Sequence, residues 1–518
     1  MYLPIKEVLV YNRLLWGGIG FLIFGTIYKV FSFTQNAFTF SFSKKDSKRI
    51  TKSNFGGIIK INLPKVSFDF SFKNQLKSLW KLSSIDFLFI VKSWPFICIV
   101  LVGLLINLIG LSELGNVFGT STLPRTWRML QAGSTFTLAI NICTFLYAGI
   151  LIHRSRIANI NQLIDVSPIK NWVLFGSKFL AIFKMQLALS SLIIITGLIF
   201  QSYNGFYDFE ISLYLYEVFA LSLIYYVIWT FLTFLVQTLI TNPYVGLFVM
   251  IVILIGIPLL SLAGVEQSIF KYNQGPGYSY SDMNGYGSNL NRYFIYKIYW
   301  FSLGLVFCIL TTLFYVRGLP SNFNEKLIIA KSRFNGKFPF FITFFTLTFL
   351  SIGGYIYFDN NITNQRNSQK EGETITAQGE KKYKKYESYA QPRIVSVNVN
   401  VDIFPSSRNL NASGEYMMVN KTKEVIDSIF LDHNGLTSTF KFNKEINLVS
   451  EDTIYNLDIY KLKSPLYPGD SLKLSFSVKN KPNTVLRNNS QVLYNGTFIN
   501  NSIVFLRQLT FFLPIEFD

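Results

Sequence analysis

The chain is poor in what most soluble enzymes are built from. Only 15% of its 518 residues are charged, against about 25% in ordinary soluble domains. Its two histidines are His153 and His433, and neither is followed by glutamate. An H-E-x-x-H helix, which holds zinc through two histidines and a distant carboxylate, therefore cannot form within it. No glycine-rich loop ends in Lys-Ser or Lys-Thr, so the chain is expected to bind no nucleotide by itself. Cys98, Cys143 and Cys308 all fall in apolar runs. There they read as small apolar side chains, not as a disulfide framework or metal cluster. The expectation is a non-enzyme, without catalytic, cofactor-binding or metal residues.

What is abundant is apolar surface. Half of the residues are hydrophobic, 17% are aromatic and mean hydropathy is +0.32. The apolar residues gather into runs of the roughly 17–25 residues that cross a bilayer. Eight such runs can be read, near 14–31, 95–112, 133–152, 178–200, 214–240, 244–264, 297–316 and 338–357. The first has no small-residue cleavage site after it, so it does not read as a signal peptide. The stretch 214–264 must turn at Asn242-Pro243.

The formal charge of +19 could suit nucleic acid, but retention of basic loops on the cytoplasmic side of a membrane accounts for it better. Connection 32–93 is lysine-rich. Connection 154–177 carries Arg154, Arg156 and Lys170, and 317–337 carries Arg317, Lys326, Lys331, Arg333 and Lys337. The alternate connections 201–213 and 265–296 are poor in base, and 113–132 carries only Arg125 and Arg128. This alternation assigns the basic connections to the cytoplasm and both chain ends to the outside.

After Phe358 the character changes. Residues 358–391 are polar and read as a linker or stalk. From Pro392 the apolar residues alternate: Val395, Val397, Val399, Val401 and Ile403 on one face, then Leu472, Leu474, Phe476 and Val478. Period two with Pro-Gly-Asp and Asn-Gly turns predicts an antiparallel β-domain. The fold class expected is a multi-span α-helical membrane protein followed by an all-β extracytoplasmic domain.

Between the third and fourth of the long runs lies "RSRIANINQLIDVSPIKNW", starting at Arg154. On a helix, Ile157, Ile160, Leu163 and Ile164 share a face, with Arg156, Asn159, Gln162 and Asp165 pointing away. Pro168 ends that helix near Asp165–Ser167. By itself this reads first as a plain interfacial connection. The stretch resembles the first cytoplasmic loop of type-two ABC exporter permeases, whose pattern matches Arg154, Arg156, Ile164, Asp165, Pro168, Ile169 and Lys178. That resemblance implies a coupling helix docked on a cytoplasmic ABC ATPase subunit, which would hold the ATP.

A second resemblance covers 392–502. Val401, Asp402, Ile403, Pro405, Arg408, Leu410, Gly414, Tyr416 and Asn420 are similar to the opening of the aminopeptidase-N-type (gluzincin) metallopeptidase family, as are "LYPGDSLKLSFSV" and "YNGTFINNS". Together the two resemble a fusion found mainly in Bacteroidota, in which permease halves precede an aminopeptidase-like region. The resemblance implies these domains: 1–31, a span left from a preceding half; 32–94, a basic cytoplasmic loop; and 95–316, a six-span permease domain. It then implies 317–357, a loop and final span; 358–391, a linker; and 392–518, an incomplete N-terminal β-domain. It implies a fragment, in the inner membrane with its C-terminal domain in the periplasm. Zinc would be expected only in a full-length relative, with the missing H-E-x-x-H helix in an alternative frame downstream.

The leading expectation is a permease subunit of an ATP-driven exporter, working with a second half or as a homodimer. The alternative is a membrane-anchored aminopeptidase remnant. Anchoring needs one span, which favours transport. Polar residues inside spans are costly and therefore functional suspects: Asn141, Lys184, Gln186, Glu217 and Gln237, with Lys184 and Glu217 as a possible pair. His153 is expected at an interface and His433 in solvent.

Overall fold

The computed structural model describes residues 7–30, 71–113, 116–117, 120–278, 280, 282, 285–286, 289–317, 323–363, 367–404, 409–432, 437–480, 498–499 and 504–505. Helix α1 (Glu7–Val30) belongs to a unit of its own, and its Leu14, Trp16, Phe21 and Phe24 are exposed.

In the second unit, α2 (Phe72–Val91) precedes α3 (Trp94–Glu113). A small hairpin, β1 (Asn116–Val117) with β2 (Thr120–Ser121), leads into α4 (Thr126–Gly133), which a 3-10 turn joins to α5 (Thr137–Ile157). Next come α6 (Asn161–Val166), α7 (Asn171–Tyr203), α8 (Ile211–Leu215) and α9 (Leu223–Leu239). A π-turn, Tyr216–Ser222, makes α8 and α9 continuous. Then follow α10 (Pro243–Leu259), α11 (Asn289–Phe314), α12 (Phe323–Arg333) and α13 (Lys337–Phe358).

Six of these helical stretches are long and apolar enough to cross a membrane: 94–113, 126–157, 171–203, 211–239, 290–314 and 337–363. Of the eight runs expected, the other two correspond to shorter apolar pieces, Arg13–Leu22 within α1 and Pro243–Leu259. Helix α10 is short for local reasons. Asn242 caps its start, donating no proton but accepting the Tyr244 amide at 2.9 Å, and Pro243 takes the first turn. Pro258 then removes a ladder bond, and the chain turns out through Gly264 at φ +85°.

The centre of the bundle is α5, whose Ile140, Cys143, Phe145, Ala148 and Leu151 are fully buried against α7 and α9. Helices α3 and α13 lie at the periphery. Leu101, Leu105, Phe340, Phe344 and Leu347 point away from the protein, as lipid allows and water does not. Helix α2 is an element the basic-loop reading of 32–93 did not contain. Phe72 stacks on Trp172, Leu79 meets Gly176, and Ser83 and Ser84 hold Lys184, so α2 runs parallel to the first half of α7.

Beyond α13 and a second π-turn (Asp359–Thr363), the polar segment forms α14 (Gln369–Tyr383), the stalk of the two forms expected. Its start is a capping box: Ser368 and Glu371 satisfy each other's backbone amides. The N-terminus of α14 also meets the Glu266 carboxylate, at 2.9 Å from the Gln369 amide. At its far end Tyr383 joins Phe430, Leu457 and Ile459 in a small core, and Lys382 and Tyr383 both donate to Asp452.

Seven strands make a sandwich of two antiparallel sheets. β3 (Arg393–Phe404), β4 (Asn409–Val419), β9 (Ser471–Asn480) and β6 (Thr437–Phe442) form one, in the order β3-β4-β9-β6. β5 (Ile426–Asp432), β8 (Leu457–Leu466) and β7 (Ile446–Asp452) form the other, in the order β5-β8-β7. β10 (Phe498–Ile499) pairs with β11 (Val504–Phe505). Leu472, Leu474, Phe476 and Val478 are all buried, as their alternation predicts. On edge strand β3 the alternation is broken by a bulge between Ile394 and Ser396. Ile394, Val399, Val401 and Ile403 reach the core, whereas Val395 and Val397 are exposed.

Candidate functional site: a basic connection and a polar cavity

The bundle has two chemically different ends. At one end lies the connection Arg154–Lys170, where the single amphipathic helix expected is in fact two pieces. Helix α5 ends at Ile157, and Asn159 turns the chain at φ +54°, a conformation asparagine tolerates. Ile160 then stands before the six residues of α6. Ile157, Ile160, Leu163 and Val166 are exposed, Leu163 and Val166 by 80% or more, while Ile164 and Asp165 are half-buried. Pro168 is exposed in the extended link to α7.

Basic side chains fix this connection from behind. Arg154 pairs with Asp86 of α2 at 2.8 Å and lies over the Phe89 ring. Arg156 donates to the Val316 carbonyl at 3.0 Å, and Arg317 donates to the carbonyls of Ser167 and Ile169. Lys178 donates to Leu151 O at 2.6 Å. Nearby, Lys326 donates to the carbonyls of Thr238 and Leu239 at 2.9 and 3.2 Å, at the end of α9. Arg333 donates to Tyr315 O at 2.6 Å, just past α11. Burial, then the nearby Arg156, holds the Lys326 ammonium below its ordinary pKa. These contacts bring residues 154–170, 240–242, 315–317 and 323–335 to one end of the bundle. They close helix C-termini, whose last carbonyls carry partial negative charge.

The polar residues singled out inside spans fall into three situations. Gln186 is buried and donates to Thr144 Oγ1 at 3.0 Å and Thr230 Oγ1 at 2.8 Å. Gln237 is buried between Gly149 and Gly246, where a Cβ on either glycine would strike its amide. It donates to Phe145 O and Pro243 O, both at 3.2 Å. Asn141 is buried on α5. Gln186 and Gln237 bridge helices. His153, also buried, meets Gln237 O at 3.1 Å, whereas His433 lies outside the described residues.

Lys184 and Glu217 do not pair. Lys184 donates to Ser83 and Ser84 at 2.8 and 2.9 Å and covers the Trp80 ring. Glu217 accepts the Tyr286 hydroxyl at 2.5 Å. They leave α7 and the π-turn on different sides, which charge and span order alone do not reveal.

Glu217 opens into a cavity of about 260 Å³. The opposite charge in its wall is Lys297, a residue the sequence reading treated as the border of a span. Lys297 lies two turns inside α11, is buried, and donates to Asn273 O at 3.0 Å and Oδ1 at 2.8 Å. Asn273 arrives on connection 265–278, which does not stay outside. It dips between the helices, with Asn273 at φ +58° donating to Tyr225 O at 2.9 Å and Tyr272 donating to Ile228 O at 2.7 Å. Non-helical backbone buried in a bundle requires such partners. One part of the wall is aromatic: Tyr225, Tyr226, Tyr278 and Tyr293, the last two edge-to-face at 4.9 Å. The π-turn disrupts the regular ladder, and its Leu221 carbonyl takes the Tyr293 hydroxyl at 2.7 Å. The "YKIYW" around Lys297, a lysine among aromatics within a helix, was the available signal.

The β-domain positions matched to the peptidase pattern have packing roles. Tyr416 is buried against Phe476 at 4.6 Å. A Cβ at Gly414 would strike Asn398 O. Buried Asn420 donates to Glu424 O at 2.7 Å and Leu466 O at 2.9 Å. Pro405 and Arg408, and most of 494–502, lie outside the described residues. Among the described residues no three of His, Cys, Asp and Glu cluster with metal-binding geometry. No family model matches the chain, and neither a curated protein nor a solved structure matches it.

Proposed function

We propose that this chain is the non-catalytic permease half of an ATP-driven exporter. It crosses the inner (cytoplasmic) membrane eight times, α1 and α10 included, and carries its β-sandwich in the periplasm. The α6 connection docks on a cytoplasmic ABC ATPase subunit, which binds the nucleotide. The observation that carries this reading is the pairing of rigidity and exposure at α6. Arg317 and Arg156 grip the connection from the spans, while Ile157, Ile160, Leu163 and Val166 face outward. An apolar face on a braced segment suits a protein partner that pushes on it. A mere anchor would need neither the brace nor buried Gln186 and Gln237. The outward apolar faces of α3 and α13 suit lipid together with a second permease half or a second copy.

The test is co-purification with the ATPase subunit, identified by its P-loop peptide, after substitution of Ile160→Asp with Leu163→Asp. Association should fall by roughly tenfold or more, since each buried aliphatic contributes ~1.5–3 kcal/mol, with membrane insertion unchanged. Undiminished association would remove the coupling role from this segment.

A further inference from the structure

The cavity contains one carboxylate and one ammonium group that do not meet. Among the described residues, Glu217 is bonded to the Tyr286 hydroxyl and Lys297 to the neutral oxygens of Asn273, and neither forms an ion pair. Lys297 is buried and Glu217 half-buried, and charges so placed without opposite partners are expensive. The levels along the helices separate them: Tyr293 contacts Leu221, and one turn further Lys297 lies 4.9 Å from the Tyr225 ring centre. Glu217 stands a turn to the other side, so the two backbones differ in depth by about 12 Å.

Between the two charges lie the rings of Tyr278 and Tyr293. Ring faces attract an organic ammonium group. A cation alone would meet the charge of Lys297, and an anion alone would meet Glu217. A ligand bearing both charges compensates each residue and leaves its carbon atoms for the apolar wall of Leu130, Ile193 and Val218. The volume of about 260 Å³ falls below the ~300–1,000 Å³ usual for drug-sized ligands, so the guest must be small.

We propose that this cavity binds a small zwitterion, its ammonium group at Glu217 and its anionic group at Lys297. The guest is either a free molecule or the headgroup of a zwitterionic lipid. The assignment concerns binding and stands whether or not the chain couples to an ATPase.

The test uses the purified full chain in detergent, titrated calorimetrically with phosphoethanolamine, with ethanolamine and with inorganic phosphate. Phosphoethanolamine should bind, and each half alone should bind roughly ten- to a hundredfold more weakly, as expected for loss of a charge-assisted contact. Glu217→Gln keeps a partner for Tyr286 and should weaken phosphoethanolamine by a similar factor. Ser134→Trp, at an exposed position on the rim, should block it. The ligand halves probe Lys297 without mutating it. In nanodiscs of phosphatidylglycerol alone, the added probe should bind as in detergent. If phosphatidylethanolamine in the disc then displaces it, the headgroup is the guest; if not, the free molecule is. Absence of phosphoethanolamine binding would overturn the proposal. So would equal binding of either half, or affinity unchanged in both variants.

Discussion

In the stalk and β-sandwich, lysines meet carboxylates: Lys382 with Asp452, Lys473 with Glu415 at 2.6 Å, Lys463 with Glu445 at 2.8 Å. In the helical part, Arg156, Lys178, Arg317, Lys326 and Arg333 meet backbone carbonyls, with the Arg154–Asp86 and Arg125–Asp282 pairs beside them. The contrast shows where part of the excess of 48 Lys and Arg over 29 Asp and Glu finds negative charge. Helix ends supply part of the negative charge. Apolar residues divide in the same way: Leu474 is sealed between two sheets, while Leu101 is exposed on a helix as long as a bilayer is thick.

The largest expected difference between the regions is all-or-none. In a background with Cys98, Cys143 and Cys308 replaced, Ser464→Cys on β8 and Ser332→Cys on α12 place thiols at exposed positions. An impermeant maleimide should label only the first in intact cells, and both after permeabilisation. Labelling of both in intact cells would abolish the assignment of the two ends to opposite sides.

A second pair of variants compares the cores. Leu474→Ala should destabilise the sandwich by ~2–5 kcal/mol, the usual range for a sealed core leucine. Hydrogen exchange in β4 and β9 would register it. Leu101→Ala faces lipid, which is as apolar as the side chain. It should shift bundle stability by less than ~0.5 kcal/mol in a denaturant titration. Equal effects would mean that Leu101 is covered by protein.

The smallest effect concerns Asp452. The ammonium of Lys382 and the hydroxyl of Tyr383, with the amides of Ile454 and Tyr455, hold its carboxyl well below the ordinary range. A carboxylate with a depressed native pKa contributes stability that is complete above its unfolded value, ~3.9, and is lost as the pH falls toward the native one. Docking of α14 on the sandwich, followed by exchange at Tyr383 and Tyr386, should therefore weaken from about pH 4 downward. Asp452→Asn should reproduce much of that loosening at neutral pH and remove the acid dependence. A wild-type response that persists in Asp452→Asn would assign it to another group.

Strand β9 was legible because period two survives along its whole length, and all four inward residues are buried. β3 was half legible, since a bulge carries no residue-type signature in a run of valines. The stalk helix had its sign in Ser368 and Glu371, three apart, and α2 in the four-residue spacing of Lys73, Lys77 and Lys81. Counting charge alone hid α2. Lys184 with Glu217 failed for a different reason. Span order gives depth but not azimuth, and the actual partners of Lys184 lie a hundred positions earlier. Lys297 was concealed because hydropathy begins a span where the lysine ends its flank.

The π-turn at Tyr216–Ser222 carries a consequence for how this chain can vary. A π-turn holds one residue more than an α-turn, so loss of one residue there would let the segment relax into an ordinary α-helix with its flanks close to their present register. The disrupted ladder that leaves the Leu221 carbonyl to the Tyr293 hydroxyl would then close. A single-codon deletion, which in most helices shifts every residue after it, would here spare the fold and alter the wall of the cavity.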